Sequence, residues 1–550
     1  MKRYEALAGF AFAVIAFGAV WLGGLNQDEG WYLYAANLVG EGKVPYRDFF
    51  FTQGPLMPLM YSSFSWVWHL FGILGARILT CGIGLVGILF YAALARLMVP
   101  ENRRQEAGII TFLLLGCNLY HVYFESIPKT YALASFFTSI GFYLLAFAVV
   151  RPNFRLHRGI LFASGLSLAF ACGVRISLGA LLAVGGFGLL LACRTRRFDF
   201  LWFGLGGAIG LAAIYGPFLI DPTFREGIVL AQRYHAARGG HDVVFTIGSL
   251  SRLIRWYMPL FVILGLTVFA RRFCRADGVA SLPCRLAACG FAAVFAVQML
   301  APFPYEDYHV PVMGLLAAVA SACFVGSRPR FLVDSATFDD GDRNLKVLLV
   351  LGLAFAASFS SPLLEKWSVN GQDRFWPLKK QKCELAQLRD VARMVEKLDP
   401  GGHRILTQDL YLAIETNRRV PHGLEMGPFS MLTDAEWREL LSSAPCEIAA
   451  LSGYSFAIMP PSCVERPVEQ QMDYWELLKK DYELVLREDA FGQNATPLLV
   501  LRRNEEGRRK AEKRLHDWFS GPREKRQRKR RGFTPCTETE DKKEALKSDG

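Results

Sequence analysis

Eleven apolar segments joined by short loops fill the first 363 residues of this 550-residue chain. They fall near 7–25, 76–98, 108–124, 131–150, 160–174, 177–193, 201–220, 253–270, 286–301, 310–326 and 347–363. A helix needs roughly 20 apolar residues to cross about 30 Å of hydrocarbon, and several of these segments approach that length. Lipid offers no partner to a free N–H or C=O, so such segments fold as helices. Hydrophobic residues make up 52% of the chain, yet the last third is ordinary and polar. The expected fold is a mostly α polytopic membrane protein over 1–363. A small α/β outer domain follows over 364–504, then a basic, disordered tail over 505–550.

Arginine placement orients the segments. Arg103 and Arg104, then Arg151, Arg155 and Arg158, then Arg194, Arg196 and Arg197, then Arg271, Arg272 and Arg275, then Arg328 and Arg330 occupy alternate loops. With Lys2 and Arg3 they form one cytoplasmic side. The loop at 26–75 and everything after 363 then lie outside. Segment 56–72 is apolar, but if it crossed, the later basic loops would change sides. It is expected to lie on the membrane surface. The first segment lacks a convincing cleavage site and reads as a retained anchor.

The net charge of +12 does not point to nucleic acid, because the excess lies in the short membrane loops and in the tail. The twelve cysteines show no metal-ligand spacing. On the outer side, Cys446 and Cys463 are candidates for a disulfide, with Cys383 and Cys536 as competitors. Asn494-Ala495-Thr496 matches a glycosylation sequon by pattern only.

The loop after the first segment carries the densest chemistry. It reads DEGWYLYAANLVGEGKVPYRDFFFTQGPLMP from Asp28. Trp31, Tyr34, Ala35 and Leu38 recur at helical spacing, so a surface helix over 28–39 is expected, ended by Gly40 and Gly42. Asp28 could cap this helix and Glu29 could favour its dipole. That leaves Arg47, Asp48 and the Gly54-Pro55 turn unexplained.

The stretch resembles the first outer loop of the GT-C class of membrane glycosyltransferases. It is most similar to bacterial relatives of protein O-mannosyltransferases and lipid A aminoarabinose transferases. In that pattern a membrane helix is followed by Asp-Glu, a surface helix, a PYRD element, a Pro-containing turn and a second surface helix, and the next span opens with Ala-Arg, here Ala76-Arg77. Further echoes are Ser126-Ile127-Pro128-Lys129-Thr130-Tyr131, Gly173-Val174-Arg175-Ile176-Ser177, Phe303-Pro304-Tyr305-Glu306-Asp307-Tyr308-His309-Val310-Pro311 and Asn417-Arg418-Arg419-Val420-Pro421. The resemblance covers about 1–504. Two departures are Lys129, where an arginine is commoner, and the stretched Tyr-Glu-Asp-Tyr-His.

The resemblance implies inverting transfer of a sugar from a polyprenyl-phosphate donor to a lipid, glycan or protein acceptor. The setting it implies is the outer face of a bacterial inner (plasma) membrane. Asp28 is then the candidate general base, with Glu29 beside it. Lys129, Arg175, Arg233, Tyr305 and His309 are candidates for the donor phosphate, and Arg77 is a weaker one. Arg47 and Asp48 are candidates for the acceptor side or for shaping the loop. No cofactor is firmly implied, though Asp28, Glu29 and Asp48 leave room for a divalent metal. Each cation also has an ordinary reading as an interfacial side chain. A lipid or sugar transporter and a non-catalytic assembly protein stay open as alternatives.

Overall fold

The computed structural model describes residues 2–192, 198–219, 224, 243–270, 274–276, 281–301, 304–329, 345–354, 383–430, 432–443, 446–452, 472–493 and 496–520. Arg233, Cys463, Cys536 and the Asn494-Ala495 pair lie outside them.

Among the described residues, seven helices are long and apolar enough to cross a membrane, or up to nine if each of two bent pairs counts as one span. Two shorter apolar helices, Ile176–Leu191 and Leu345–Ala354, account for the remaining expected segments. As far as the described residues reach, each of the eleven segments falls on a helix, though not on eleven straight crossings. The third is broken: Glu101–Gly116 and Leu119–Ser126 meet at 73°. Asn118 sits at the break and caps the second piece by accepting the His121 N–H at 3.0 Å. The eighth is broken too, with Val243–Trp256 and Met258–Phe269 at 83°. Only the second piece and the end of the first lie within the expected 253–270.

The elements around the first loop place the chemistry. Helix α1 spans Lys2–Leu22, α2 Gln27–Gly40, α3 Leu56–Ser62 and α4 Ser65–Leu97. The cap of α2 is Asn26 rather than Asp28. Its side chain accepts the Asp28 N–H at 3.0 Å, and Glu29 accepts the Asn26 N–H at 2.8 Å, completing a capping box. Segment 56–72 is expected on the surface, and it forms α3 and the first turns of α4. The helix breaks at Gly72 (φ 64°, ψ −156°), and the apolar run resumes at Ile73.

The reading of α2 as a surface helix needs correction. Trp31, Tyr32, Leu33, Tyr34, Ala35 and Ala36 are all buried, so nearly every face is covered. Helix α3 and Phe51 of the same loop cover part of it, and the C-terminal domain covers another part. A Cβ on Gly30 would stand 2.3 Å from the Tyr411 amide nitrogen, so only glycine allows this approach. The Gln27 side chain donates to Asp409 at 2.9 Å, and the Tyr34 hydroxyl accepts the Val420 N–H at 3.0 Å.

The C-terminal domain is α/β, with a four-stranded sheet. In spatial order its strands are Ile405–Leu406, Ile448–Leu451, Thr496–Arg503 and Tyr482–Phe491. The first two run parallel and the other pairings are antiparallel. The expected boundary at 504 does not hold. A helix over Glu505–Ser520 continues the domain, with Arg508 paired to Glu447 at 2.5 Å and Lys510 to Asp481 at 2.6 Å.

Candidate active site

Four loops meet at one end of the bundle, and Lys129 is where they converge. It precedes the span α5, Thr130–Val150, in extended geometry, with its N–H on the Ile127 carbonyl at 2.7 Å. Its ammonium lies 2.6 Å from Asp28 Oδ2 and 3.2 Å from Asp307 Oδ2. The Tyr131 hydroxyl donates to the same Asp307 oxygen at 2.8 Å, and its ring lies 4.9 Å from the ammonium. Burial works against the Lys129 charge. Asp28, Tyr131 and Asp307 outweigh it and hold the ammonium well above the ordinary lysine value.

Arg175 joins from the end of α6, His157–Val174. It donates to Thr130 Oγ1 at 3.0 Å, and its guanidinium lies 4.9 Å from the Tyr131 ring and 5.0 Å from the Tyr308 ring. Asp307 and Tyr308 belong to the one-turn 3-10 helix Glu306–His309, which leads into the span α7, Val310–Gly326. Glu306 in that turn takes a two-point contact from Arg252, at 3.0 and 3.1 Å.

Asp28 is the most open of the three linked groups. Its side chain is 23% exposed, against 16% for Asp307 and 10% for Lys129. Its other oxygen accepts the Trp31 indole N–H at 3.1 Å. A carboxylate in this setting is oriented on one side and reachable on the other.

Glu29 points elsewhere. Its two oxygens take the Arg77 guanidinium at 2.6 and 2.7 Å, and neither side chain is exposed. Arg77 also donates to the carbonyls of Val20, Gly23 and Gly24 at 3.2, 2.8 and 2.7 Å. This fully paired knot ties α4 to the end of α1 and the start of α2. Glu29 is thus removed from Asp28's surroundings, and Arg77 from any phosphate.

The PYRD element forms a turn of its own. Tyr46 has φ 70°, a strained value for a bulky residue, and its hydroxyl donates to the Gln53 carbonyl. Its ring packs 4.7 Å from that of Phe224. Arg47 and Asp48 pair with each other at 3.1 Å, and Asp48 accepts the Val44 N–H at 2.8 Å. The Arg47 hydrogen bond, opposed by partial burial and aided by Val44, holds the Asp48 carboxyl below its usual range. Among the described residues no three His, Cys, Asp or Glu side chains gather as a metal ion would require. Glu29 and Asp48 are held by arginines rather than brought to Asp28.

Tyr305 and His309 flank Asp307 differently. Tyr305 is 45% exposed and lies against Phe245 and Tyr308. His309 is buried, 4.7 Å from the Phe295 ring, and neither ring nitrogen has a hydrogen-bond partner among the described residues. Sequence reasoning missed Asp307, Tyr131, Tyr308 and Thr130. The signals were the two stretches Ser126–Tyr131 and Tyr305–His309, in which all four residues stand but carry no assigned role.

The assembled groups can stabilise an incoming anion with two cations while a carboxylate beside them accepts a proton. No protein-family model matches the chain, and no curated protein matches it in sequence. Among solved structures it is similar to ArnT from Cupriavidus metallidurans bound to undecaprenyl phosphate, with a TM-score of 0.57 and 15% identity over 91% of this chain and 98% of that one. The apo state of the same protein gives a TM-score of 0.55 over the same shares, again at 15% identity. The Archaeoglobus fulgidus oligosaccharyltransferase AglB, in complex with an inhibitory peptide and a dolichol-phosphate, gives 0.46 at 12% identity over 82% of this chain and 70% of that one. The chain thus shares the fold of ArnT over nearly the whole length of both, with seven to nine helices among the described residues long and apolar enough to cross a membrane.

Proposed function

We propose that this protein is a GT-C glycosyltransferase that moves a sugar from a polyprenyl-phosphate carrier to a hydroxyl of a lipid, glycan or protein. The observation that carries this reading is the contact of Lys129 with Asp28, with Arg175 beside it at the same end of the bundle. The likeness to a fold solved with undecaprenyl phosphate supports it. The acceptor oxygen attacks the anomeric carbon from the face opposite the phosphate. The carbon–oxygen bond to phosphate breaks, its electron pair leaves with the phosphate, and configuration inverts. Asp28 takes the hydroxyl proton. Lys129 and Arg175 stabilise the charge growing on the leaving phosphate. His309 and Tyr305 complete that side in this reading. Arg233, outside the described residues, is also retained as a donor-side candidate. The arginine-rich loops support a cytoplasmic N-terminus in a bacterial plasma membrane, with the site and the C-terminal domain outside.

One observation favours a transporter instead. His121 and Glu125 are buried together within a broken span, 3.8 Å apart, with Ser135 on Glu125 at 2.5 Å. Lipid-linked sugars profiled in membranes with and without the protein separate the readings. An enzyme consumes one species and releases its carrier phosphate. A transporter relocates that species without consuming it, and an assembly protein does neither.

A further inference from the structure

Both oxygens of Asp28 are already engaged, Oδ2 by the Lys129 ammonium at 2.6 Å and Oδ1 by the Trp31 indole N–H at 3.1 Å. An acceptor hydroxyl that approaches Oδ2 meets the ammonium sitting on it. The ammonium must therefore move away from Asp28 by the time the acceptor proton transfers. In a buried site that movement is costly if the ammonium is left without a counter-charge. Here a second carboxylate is already in reach. Asp307 Oδ2 stands 3.2 Å from the same nitrogen. The Tyr131 hydroxyl holds that oxygen at 2.8 Å, and the turn bearing Asp307 is braced by Arg252 on Glu306 and by Ser249 on the Pro304 carbonyl at 2.5 Å.

We infer that Asp307 is a positioning residue that receives Lys129 when the donor phosphate enters, and so frees Asp28 to take the acceptor proton. Lys129 slides from one carboxylate toward the other and toward the phosphate, and it stays paired throughout. Asp307 touches neither the sugar nor the acceptor; it acts through Lys129. It also offsets one of the two cations, so the side chains of the site amount to two positive and two negative groups, and a bound phosphate brings the excess negative charge. This assignment rests on Asp28 as base.

The test is the steady-state behaviour of Asp307→Asn with a polyprenyl-phosphate sugar, in the full chain reconstituted in lipid. The amide still accepts from Tyr131, so the turn is retained. Expected is a fall in kcat of at least about tenfold, with KM for the donor unchanged or lower because one repelling charge is gone. Tyr131→Phe, which loosens Asp307, shifts the same two parameters in the same directions by less. In an Asp28→Asn background, Asp307→Asn should cost little more, since the base it frees is already absent. An unchanged kcat in Asp307→Asn overturns the inference. So does a rise in donor KM that accounts for the whole loss, or an equal further loss in the Asp28→Asn background. These outcomes are separable from failure of the parent reading, which shows as wild-type turnover in Asp28→Asn itself.

Discussion

Arg77 of α4 grips Glu29 of α2 through both carboxylate oxygens, at 2.6 and 2.7 Å, with neither side chain exposed. Breaking a buried pair from one side leaves an uncompensated charge and costs about 3–5 kcal/mol. Glu29→Gln should therefore lower thermal stability or yield of inserted protein sharply. A Glu29→Gln, Arg77→Met double variant should recover part of that loss. Thermal unfolding in detergent checks both.

Asp28→Asn should behave in the opposite way. The cap of α2 is Asn26, and Lys129 retains Asp307, so the stability loss should stay near 1 kcal/mol. Turnover should fall by about 10²–10⁴, the usual cost of removing a positioned base. Sugar transfer measured beside thermal unfolding decides it, and wild-type turnover would remove Asp28 from the mechanism.

Arg175→Ala and His309→Ala should each raise the apparent KM for the lipid donor. A hydrogen bond to a charged group contributes about 1.5–3 kcal/mol, so the Arg175 effect should reach roughly tenfold or more. His309 is buried with both nitrogens available to a ligand, and its effect should be smaller. Titration of donor lipid against the purified variants measures both; unchanged donor affinity and rate would count against the phosphate assignment.

Gly72→Ala should loosen the C-terminal domain from the bundle. Gly72 has φ 64°, and a Cβ there would lie 2.2 Å from the Glu415 carboxylate. Glu415 accepts the Ile73 N–H at 2.8 Å and pairs with Arg389 at 3.3 Å. The strain alone costs on the order of 1–3 kcal/mol. Faster proteolysis within 383–430 than in the wild type would reveal it.

Two truncations separate the C-terminal helix from the segment beyond it. A chain ending after Ser520 should keep both stability and transfer. A chain ending after Asn504 loses Arg508 on Glu447 and Lys510 on Asp481, and should unfold at a lower temperature while keeping the chemistry of an intact site. Equal melting temperatures for the two would show that the helix adds nothing.

The membrane helices were legible in sequence because hydropathy is local. A run of apolar residues between arginines needs lipid wherever the rest of the chain lies. The first outer loop was legible for a related reason, since the Asp-Glu pair, the aromatic run and the PYRD element stand together. Sequence named Asp28 as the candidate base but gave no partner that would take Glu29 out of the site. Adjacent residues of a helix point about 100° apart, and only the position of Arg77 on another helix decides which acid is tied into the knot and which faces Lys129. For the same reason Arg77 passed as a phosphate cation, and α2 as a surface helix, until the C-terminal domain was seen to cover part of it. The group formed by Asp28, Lys129, Arg175 and Asp307 comes from four loops far apart along the chain. Its members meet because the spans between them end on one side of the bundle. Hydropathy determined that there are apolar helices and roughly where they lie, but not the breaks at Asn118 and Tyr257; packing between the helices decided which charged side chains came within 3 Å or so of one another.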